Sequence, residues 1–189
     1  MFHWLNILIW LVLTTSLFFC KGSNPDTAKL KEASSSIFSE LQADLQKRLK
    51  ESIEKGGIVS AIETCKTASP EIEAEFSKKY NVKIKRVSEK NRNPEHSPDA
   101  WEKTIFTEWN KAIAAGNSPF IATFSDSKVF RLMQPIKINN ALCLQCHGTV
   151  ESIKPDVLKK IQDLYPEDKA TGYQLEELRG AFTIQWELK

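Results

Sequence analysis

The sequence predicts an α+β fold, in which helices come first and mainly antiparallel strands follow. Two changes along the chain support this prediction. Apolar residues recur every three or four positions through residues 25–55, which is the period of an amphipathic helix. Over residues 120–138 the period changes to two, as in a half-buried strand. Helices followed by antiparallel strands are typical of a small sheet that helices cover.

The first 80 residues hold most of the predicted helix. A long helix is predicted over residues 25–55, and the Gly56-Gly57 pair ends it. A short helix follows over residues 58–68, and Ser69-Pro70 begins another that runs to about Tyr80. The apolar stripe of the first helix is Leu30, Ala33, Ile37, Leu41, Leu45, Leu49 and Ile53. Such a stripe normally packs into a core, so we assign it no cofactor role.

The remaining elements alternate in type. Residues 81–87 predict a strand, and a polar loop leads from it to a helix that Ser97-Pro98 opens and Gly116 ends. Residues 120–126 and 128–138 predict two strands that form a β-hairpin. A short helix over residues 155–165 and a strand over residues 180–188 complete the chain.

Residues 1–19 differ from the rest because they contain no Lys, Arg, Asp or Glu. Their apolar core has the length of the hydrophobic region of a secretion signal and is short for a membrane-spanning helix. A Leu three residues before Cys20 and a polar run after it resemble a bacterial lipoprotein signal. We therefore predict a signal segment over residues 1–19, a tether over residues 20–26 with Cys20 lipidated, and one domain over residues 27–189.

Two features of this segment are atypical of a lipoprotein. Phe19 is bulky where a small residue is usual, and neither Lys nor Arg precedes the apolar core. An uncleaved anchor and a cleaved soluble protein therefore stay open as alternatives. Each of the three exports the domain, and we expect it at the periplasmic side of a membrane, anchored there.

The charge of the chain excludes one class of partner. Its 26 basic and 24 acidic residues give a net charge of +2. Basic residues are not clustered with aromatic ones, so nucleic acid is not an expected partner.

The strongest functional signal is the segment Cys143-Leu144-Gln145-Cys146-His147. Two thiols at this spacing can form thioethers with the two vinyl groups of a porphyrin, and the next imidazole can bind the iron. The pattern is that of c-type haem attachment. We predict one covalent haem c, attached through Cys143 and Cys146 with His147 as an axial ligand. Such attachment occurs outside the bacterial cytoplasm, which agrees with export.

Three other interpretations of this segment compete with haem. A zinc site needs four ligands, and the adjacent Cys146 and His147 are awkward at one tetrahedral metal. A thioredoxin-like dithiol is expected in a βαβ context that this sequence does not predict. A disulfide between the two cysteines would leave His147 without a role.

The second axial position has few candidates. Met133 lies on a predicted strand, His96 in a polar loop and His3 in the signal segment. Cys65 is left over if Cys20 carries lipid and the other two cysteines act together, and an unpaired thiol in an exported protein calls for an explanation. Because a free Cys is commonly just a small buried hydrophobe, the residues alone leave this choice open.

Five segments occur in the order of a known bacterial family. They are AIETCK (61–66), KRVSEKNRNPEHSPDAWE (85–102), RLMQPI (131–136), CLQCHG (143–148) and YPEDKATGYQLEELRGAFTI (165–184). Over about residues 27–188, the chain resembles the PAS-like c-type haem domain that was long catalogued as a domain of unknown function. That domain occurs as a stand-alone exported protein and as the sensor part of membrane histidine kinases.

The resemblance implies both a fold and a ligand set. The fold is a PAS-like antiparallel sheet with a long N-terminal helix and covering helices. The implied axial ligands are His147 on the proximal side and Cys65 on the distal side. Arg86, Arg92 and Arg131 lie in matched segments and are candidate partners of the haem propionates, because guanidinium geometry suits carboxylates. Each can equally form an ordinary surface ion pair.

These features bear on four candidate functions. A redox or diatomic-gas sensor is expected if Cys65 leaves the iron on reduction, and it requires a signalling or redox protein as partner. A low-potential electron carrier tethered to the membrane is the alternative. A haem enzyme such as a peroxidase is not expected, because both axial positions are filled and no distal acid–base pair is evident. A structural lipoprotein without haem would be colourless.

Overall fold

The structure, a computed structural model, describes residues 25–188. The predicted signal segment, Cys20 and His3 lie outside the described residues. Helix α1 spans Pro25–Tyr80 and strand β1 spans Lys83–Val87. The later elements are a 3₁₀ turn (Pro94–His96), α2 (Ala100–Ala114), β2 (Ala122–Ser125), β3 (Val129–Lys137), α3 (Ala141–His147), α4 (Pro155–Leu164) and β4 (Leu178–Glu187).

The four strands form one antiparallel sheet in the order β1-β4-β3-β2. Strands β2 and β3 form the predicted hairpin, whose turn is closed by Asp126. The Asp126 carboxylate accepts hydrogen bonds from the backbone N–H groups of Lys128 at 2.7 Å and Val129 at 2.8 Å. The predicted α+β class, with an antiparallel sheet and a long N-terminal helix, is confirmed.

Helix α1 consists of two arms that meet at Gly57. Gly57 has φ 75° and ψ −176°, a conformation that glycine adopts readily and other residues rarely do. The arms lie side by side, since the hydroxyls of Ser52 and Thr64 are 2.7 Å apart and ion pairs join the arms further along. The predicted break at the glycine pair is therefore confirmed. The second arm continues through Pro70, so the prediction that a separate helix begins at Ser69-Pro70 was wrong.

Helices α1 and α2 cover opposite faces of the sheet. Successive side chains of a strand alternate between faces. Phe182 and Ile184 of β4 accordingly pack with α1, whereas Ala181 packs with α2. The α1 core also includes Ile37, Phe38, Leu41, Ile72, Phe76, Phe130 and Leu132. Helix α2 begins at Ala100, two residues after the predicted Ser97-Pro98 start, because Asp99 and Glu102 form a capping box there.

A third apolar cluster joins the second arm of α1 to α4. It consists of Ile62 from α1 with Ile153, Val157 and Ile161. Two polar contacts reinforce the same junction: Lys66 Nζ donates to the Leu164 carbonyl at 3.1 Å, and a Lys160–Glu63 ion pair lies nearby. Within residues 25–188, no helix is both long and apolar enough to cross a membrane.

Candidate cofactor site

A pocket of about 310 Å³ lies between α1, α3 and the α1 face of the sheet. This volume is within the range of small-molecule and cofactor sites. Cys65, Cys143, Cys146 and His147 all line the pocket, although Cys65 comes from a distant part of the chain. Its aliphatic and aromatic walls include Leu45, Leu49, Ile53, Ile58, Ile62, Ile136, Ile138 and Phe182.

Helix α3 carries the whole Cys-x-x-Cys-His segment, to which the sequence analysis assigned no element. Its N-terminus is capped by Asn140, whose side chain accepts a hydrogen bond from Leu142 N–H at 2.8 Å. Gly148 follows its last residue, and a Cβ there would lie 2.6 Å from the Leu144 carbonyl oxygen. A glycine at this position therefore lets the helix end directly after His147.

The ring of His147 is held in one orientation. His147 Nδ1 lies 2.7 Å from the Ala170 carbonyl oxygen. A carbonyl only accepts hydrogen bonds, so Nδ1 carries the proton and the lone pair of Nε2 is left free. Burial lowers the pKa of His147 well below its ordinary 6.5, and the charges of Arg179 and Arg92 lower it further. A neutral imidazole whose other nitrogen is held by a carbonyl is the usual arrangement of a histidine metal ligand.

Arg92 fixes the loop that supplies this carbonyl. Its guanidinium pairs with Asp168, with Nε to Oδ1 at 3.0 Å and Nη2 to Oδ2 at 3.2 Å. Nη2 also donates to the Cys146 carbonyl at 2.6 Å. Asp168 Oδ1 in turn accepts from the Ala170 N–H at 2.9 Å. Arg92 thus ties the Asp168–Ala170 loop to the end of α3 instead of pointing freely into the pocket.

Cys65 faces the pocket from the second arm of α1. It is an exposed free thiol that lines the pocket, although protein atoms surround much of it. This burial raises the pKa of the Cys65 thiol above its ordinary 9.0, and the charges of Arg86 and Arg92 offset only part of the rise. Burial likewise raises the pKa of Cys146, and the charge of Cys65 adds to that rise.

Two of the competing interpretations find no support here. Among the described residues, no group of three or more His, Cys, Asp or Glu side chains is arranged to hold a metal ion by itself. Cys143 and Cys146 are both free thiols in the structure.

Arg86 lines the pocket but has partners within the protein. Its Nε lies 3.0 Å from Glu73 Oε1, and its Nη2 donates to the hydroxyl of Ser69. Glu73 also contacts His96, whose Nε2 is 3.0 Å from Oε2. Burial alone would raise the pKa of Glu73, but His96 and Arg86 outweigh it and hold that pKa below its ordinary 4.5. His96 therefore belongs to a polar network on the pocket wall.

Arg131 and Met133 lie away from the pocket, and the grouping of Arg131 with Arg86 and Arg92 needs correction. Arg131 is on the α2 face of the sheet, where its Nη2 contacts Asp99 at 2.7 Å and Glu102 at 3.0 Å. Met133 is fully buried in the cluster under α2. Strand alternation separates both residues from the pocket on the other face.

Sequence reasoning missed Arg179, which lines the pocket from β4. Its Nη1 donates to the Lys90 carbonyl at 3.3 Å, and its guanidinium lies 5.4 Å from the centre of the Tyr173 ring. Burial lowers the pKa of Arg179 to about 10. Its only signal in the sequence was its place in the last of the five matched segments.

These features define a class of protein: an α+β domain with a cysteine- and histidine-lined apolar pocket beside an antiparallel sheet. The chain belongs to the Tll0287-like family, whose model matches residues 26–186. It is also similar to the crystal structure of the cyanobacterial heme-protein Tll0287, with a TM-score of 0.59 and 20% identity over 87% of this chain and 97% of that one. This likeness confirms the fold, and the family match confirms the predicted membership. No curated protein sequence matches the chain.

Proposed function

We propose that this protein is an exported c-type haem protein that acts as a redox or diatomic-gas sensor. The observation that carries the proposal is the meeting of Cys65 with the Cys143–His147 segment in one apolar pocket. Membership of the Tll0287-like family, and similarity to a protein described as a heme-protein, support haem as the cofactor.

The residues of the pocket fit a covalently bound haem. Cys143 and Cys146 are free to form thioethers, and the free Nε2 of His147 is available as an axial ligand. Cys65 supplies a second axial ligand, and the aliphatic walls suit a porphyrin face. When bound, haem supplies a redox-active iron whose potential depends on its axial ligands. In this proposal Cys20 carries a lipid that holds the domain at the periplasmic side of a membrane.

The two proposed ligands differ in the hydrogen bonds that hold them in place. His147 is fixed through Ala170, and Arg92 and Asp168 fix Ala170 in turn. Within residues 25–188, no hydrogen bond holds the sulfur of Cys65. A fixed proximal ligand and a replaceable distal one suit a sensor, because a sensor needs a two-state element that a signal can bias.

One observation favours the alternative, a low-potential electron carrier. The arm that bears Cys65 is attached to α4 by the Ile62 cluster, by the Lys66 contact to Leu164 and by the Glu63–Lys160 pair. These contacts limit how far Cys65 can move, and a ligand that stays in place suits electron transfer. We expect no enzymatic turnover in either case.

Haem attachment is tested on the full chain produced together with an active cytochrome-maturation system. Mass spectrometry should show the mass of one haem added to the mature polypeptide, and Cys143→Ser combined with Cys146→Ser should remove it. A wild-type polypeptide that carries only its amino acids and any lipid would contradict the proposal.

The ligand and the function are tested by spectroscopy of the holoprotein. Cys65→Ser should change the ferric spectrum, whereas Thr67→Ser, on the same helix and exposed, should not. Carbon monoxide should bind the reduced wild type if Cys65 is replaceable. Absence of binding, together with fast reduction by protein donors, would favour the electron carrier.

A further inference from the structure

Four arginines line the pocket, and three of them, Arg48, Arg86 and Arg92, form ion pairs with carboxylates. Arg86 is paired with Glu73 and Arg92 with Asp168, each at 3.0 Å. Arg179 has no such partner, since no carboxylate of the described residues lies within ion-pair distance of its guanidinium. Carboxylates of the described residues therefore balance three of the four arginine charges at this pocket, and the charge of Arg179 is left unpaired.

The contacts that Arg179 does make carry no compensating charge. One is the neutral carbonyl of Lys90 and the other is the ring of Tyr173. Lys90 adds a second cation on the same ring, with Nζ 4.2 Å from its centre. A cation removed from bulk water without a counter-ion is destabilising, and folded proteins normally pair such charges. The guanidinium of Arg179 thus offers N–H donors at the pocket wall to which an anion could bind.

We propose that Arg179 binds a carboxylate of the molecule that occupies the pocket, which is one propionate of the haem. This inference rests on the proposed haem function and goes beyond it by assigning one residue to one group of the cofactor. Guanidinium binds carboxylate through two parallel hydrogen bonds, so the pairing contributes orientation as well as affinity. Arg179 thereby takes the role that the sequence had suggested for Arg86, Arg92 or Arg131.

The test measures affinity for two porphyrins that differ only at the carboxylates. Full-length haem-free protein is titrated with iron(III) mesoporphyrin IX, which has no vinyl groups to react with cysteine, and with its dimethyl ester. Wild type should bind the free acid about 10- to 100-fold more tightly than the ester, the range for a charge-assisted hydrogen bond. Arg179→Gln should abolish most of this preference, and Arg179→Lys should retain part of it.

Lys90→Gln is the matched control. It removes a positive charge beside the same Tyr173 ring from a residue that does not line the pocket. It should leave the acid-over-ester preference within about twofold of wild type, since screened surface charges contribute little. If Lys90→Gln reduces the acid-over-ester preference as much as Arg179→Gln does, Arg179 does not contact a propionate directly, and the preference reflects only a general electrostatic effect.

The remaining outcomes separate the two proposals. If wild type binds acid and ester equally, the Arg179 assignment is wrong while haem binding stands. If neither porphyrin binds, both the proposed haem function and the assignment of Arg179 to a propionate are wrong. Thermal unfolding of the haem-free protein gives an independent check: Arg179→Gln should leave the midpoint unchanged or raise it, because an unpaired charge is removed. A clear drop in that midpoint would assign Arg179 a structural role and overturn the inference.

Discussion

Replacement of Arg92 by Gln should destabilise the protein more than replacement of an exposed lysine that forms a surface ion pair. The Arg92 and Asp168 side chains are 14% and 9% exposed, so the pair is largely removed from water. Arg92→Gln leaves the Asp168 carboxylate buried without a cation and removes the hydrogen bond to the Cys146 carbonyl. Loss of one partner of a buried pair typically costs about 3–5 kcal/mol. For a chain of this size, that corresponds to a fall in Tm of roughly 6–20 °C.

The assay is urea and thermal unfolding of the haem-free protein, followed by circular dichroism. Lys83→Gln is the matched control, because Lys83 pairs with Glu187 at 3.0 Å, both side chains are exposed (74% and 59%), and Lys83 does not line the pocket. Its loss should cost at most about 1 kcal/mol. In a double-mutant cycle, Asp168→Asn should cost less in the Arg92→Gln background than alone, because the two residues share one interaction.

A second consequence concerns His147, which Arg92 positions through the Asp168–Ala170 loop. Loss of a residue that orients a metal ligand typically weakens metal binding about 10- to 100-fold. Iron mesoporphyrin affinity should therefore fall in Arg92→Gln and stay constant in Lys83→Gln. If the two variants are equally stable and bind the porphyrin equally well, Arg92 does not hold this loop as described.

Three further variants test other parts of the structure. Glu73→Gln should be less stable than wild type at neutral pH, and this difference in stability should close on acidification. Folding lowers the pKa of Glu73, so its contribution to stability is full above about pH 4.5 and is lost as pH falls through the folded-state pKa. Urea unfolding at several pH values measures the difference, and a difference that widens in acid would contradict the prediction. Gly180→Ala should lower the free energy of unfolding by about 1–3 kcal/mol in urea, because the added Cβ would lie 2.5 Å from the Val87 carbonyl oxygen. An unchanged midpoint would show that strands β1 and β4 can move apart to accept it. Gly57→Ala should lower the free energy of unfolding by about 1 kcal/mol in the same assay, because alanine rarely adopts the φ of 75° found there. No loss would show that the turn between the two arms of α1 can change its conformation.

Features of the fold that depend on neighbouring residues could be predicted from the sequence. The break at Gly57, the hairpin that Asp126 closes and the Cys143–His147 segment are each encoded within a few positions. The passage of α1 through Pro70 could not, because packing of the two arms against each other and the sheet overrides the local preference of proline.

The roles of the arginines depended on distant partners. Arg92 meets Asp168 only because α3 and the following loop fold back onto the segment after β1. Arg131 and Arg86 look equivalent in sequence, yet strand alternation and α2 place Arg131 on the opposite face of the sheet. Arg179 was missed because its distinguishing property is the absence of an acidic partner among the described residues, which becomes visible only once the fold is known.

The position of Cys65 is set by contacts that do not involve its sulfur. The arm that carries it is fixed to α4 by Ile62, Glu63 and Lys66, which are its near neighbours in sequence. It follows that Cys65→Ser should leave the unfolding free energy of the haem-free protein within about 0.5 kcal/mol of wild type, the range of substitutions that disturb no packing. Because the same substitution should alter the ferric spectrum of the holoprotein, an effect on the site can be separated from an effect on the fold. A large loss of stability without haem would show instead that the thiol is part of the core.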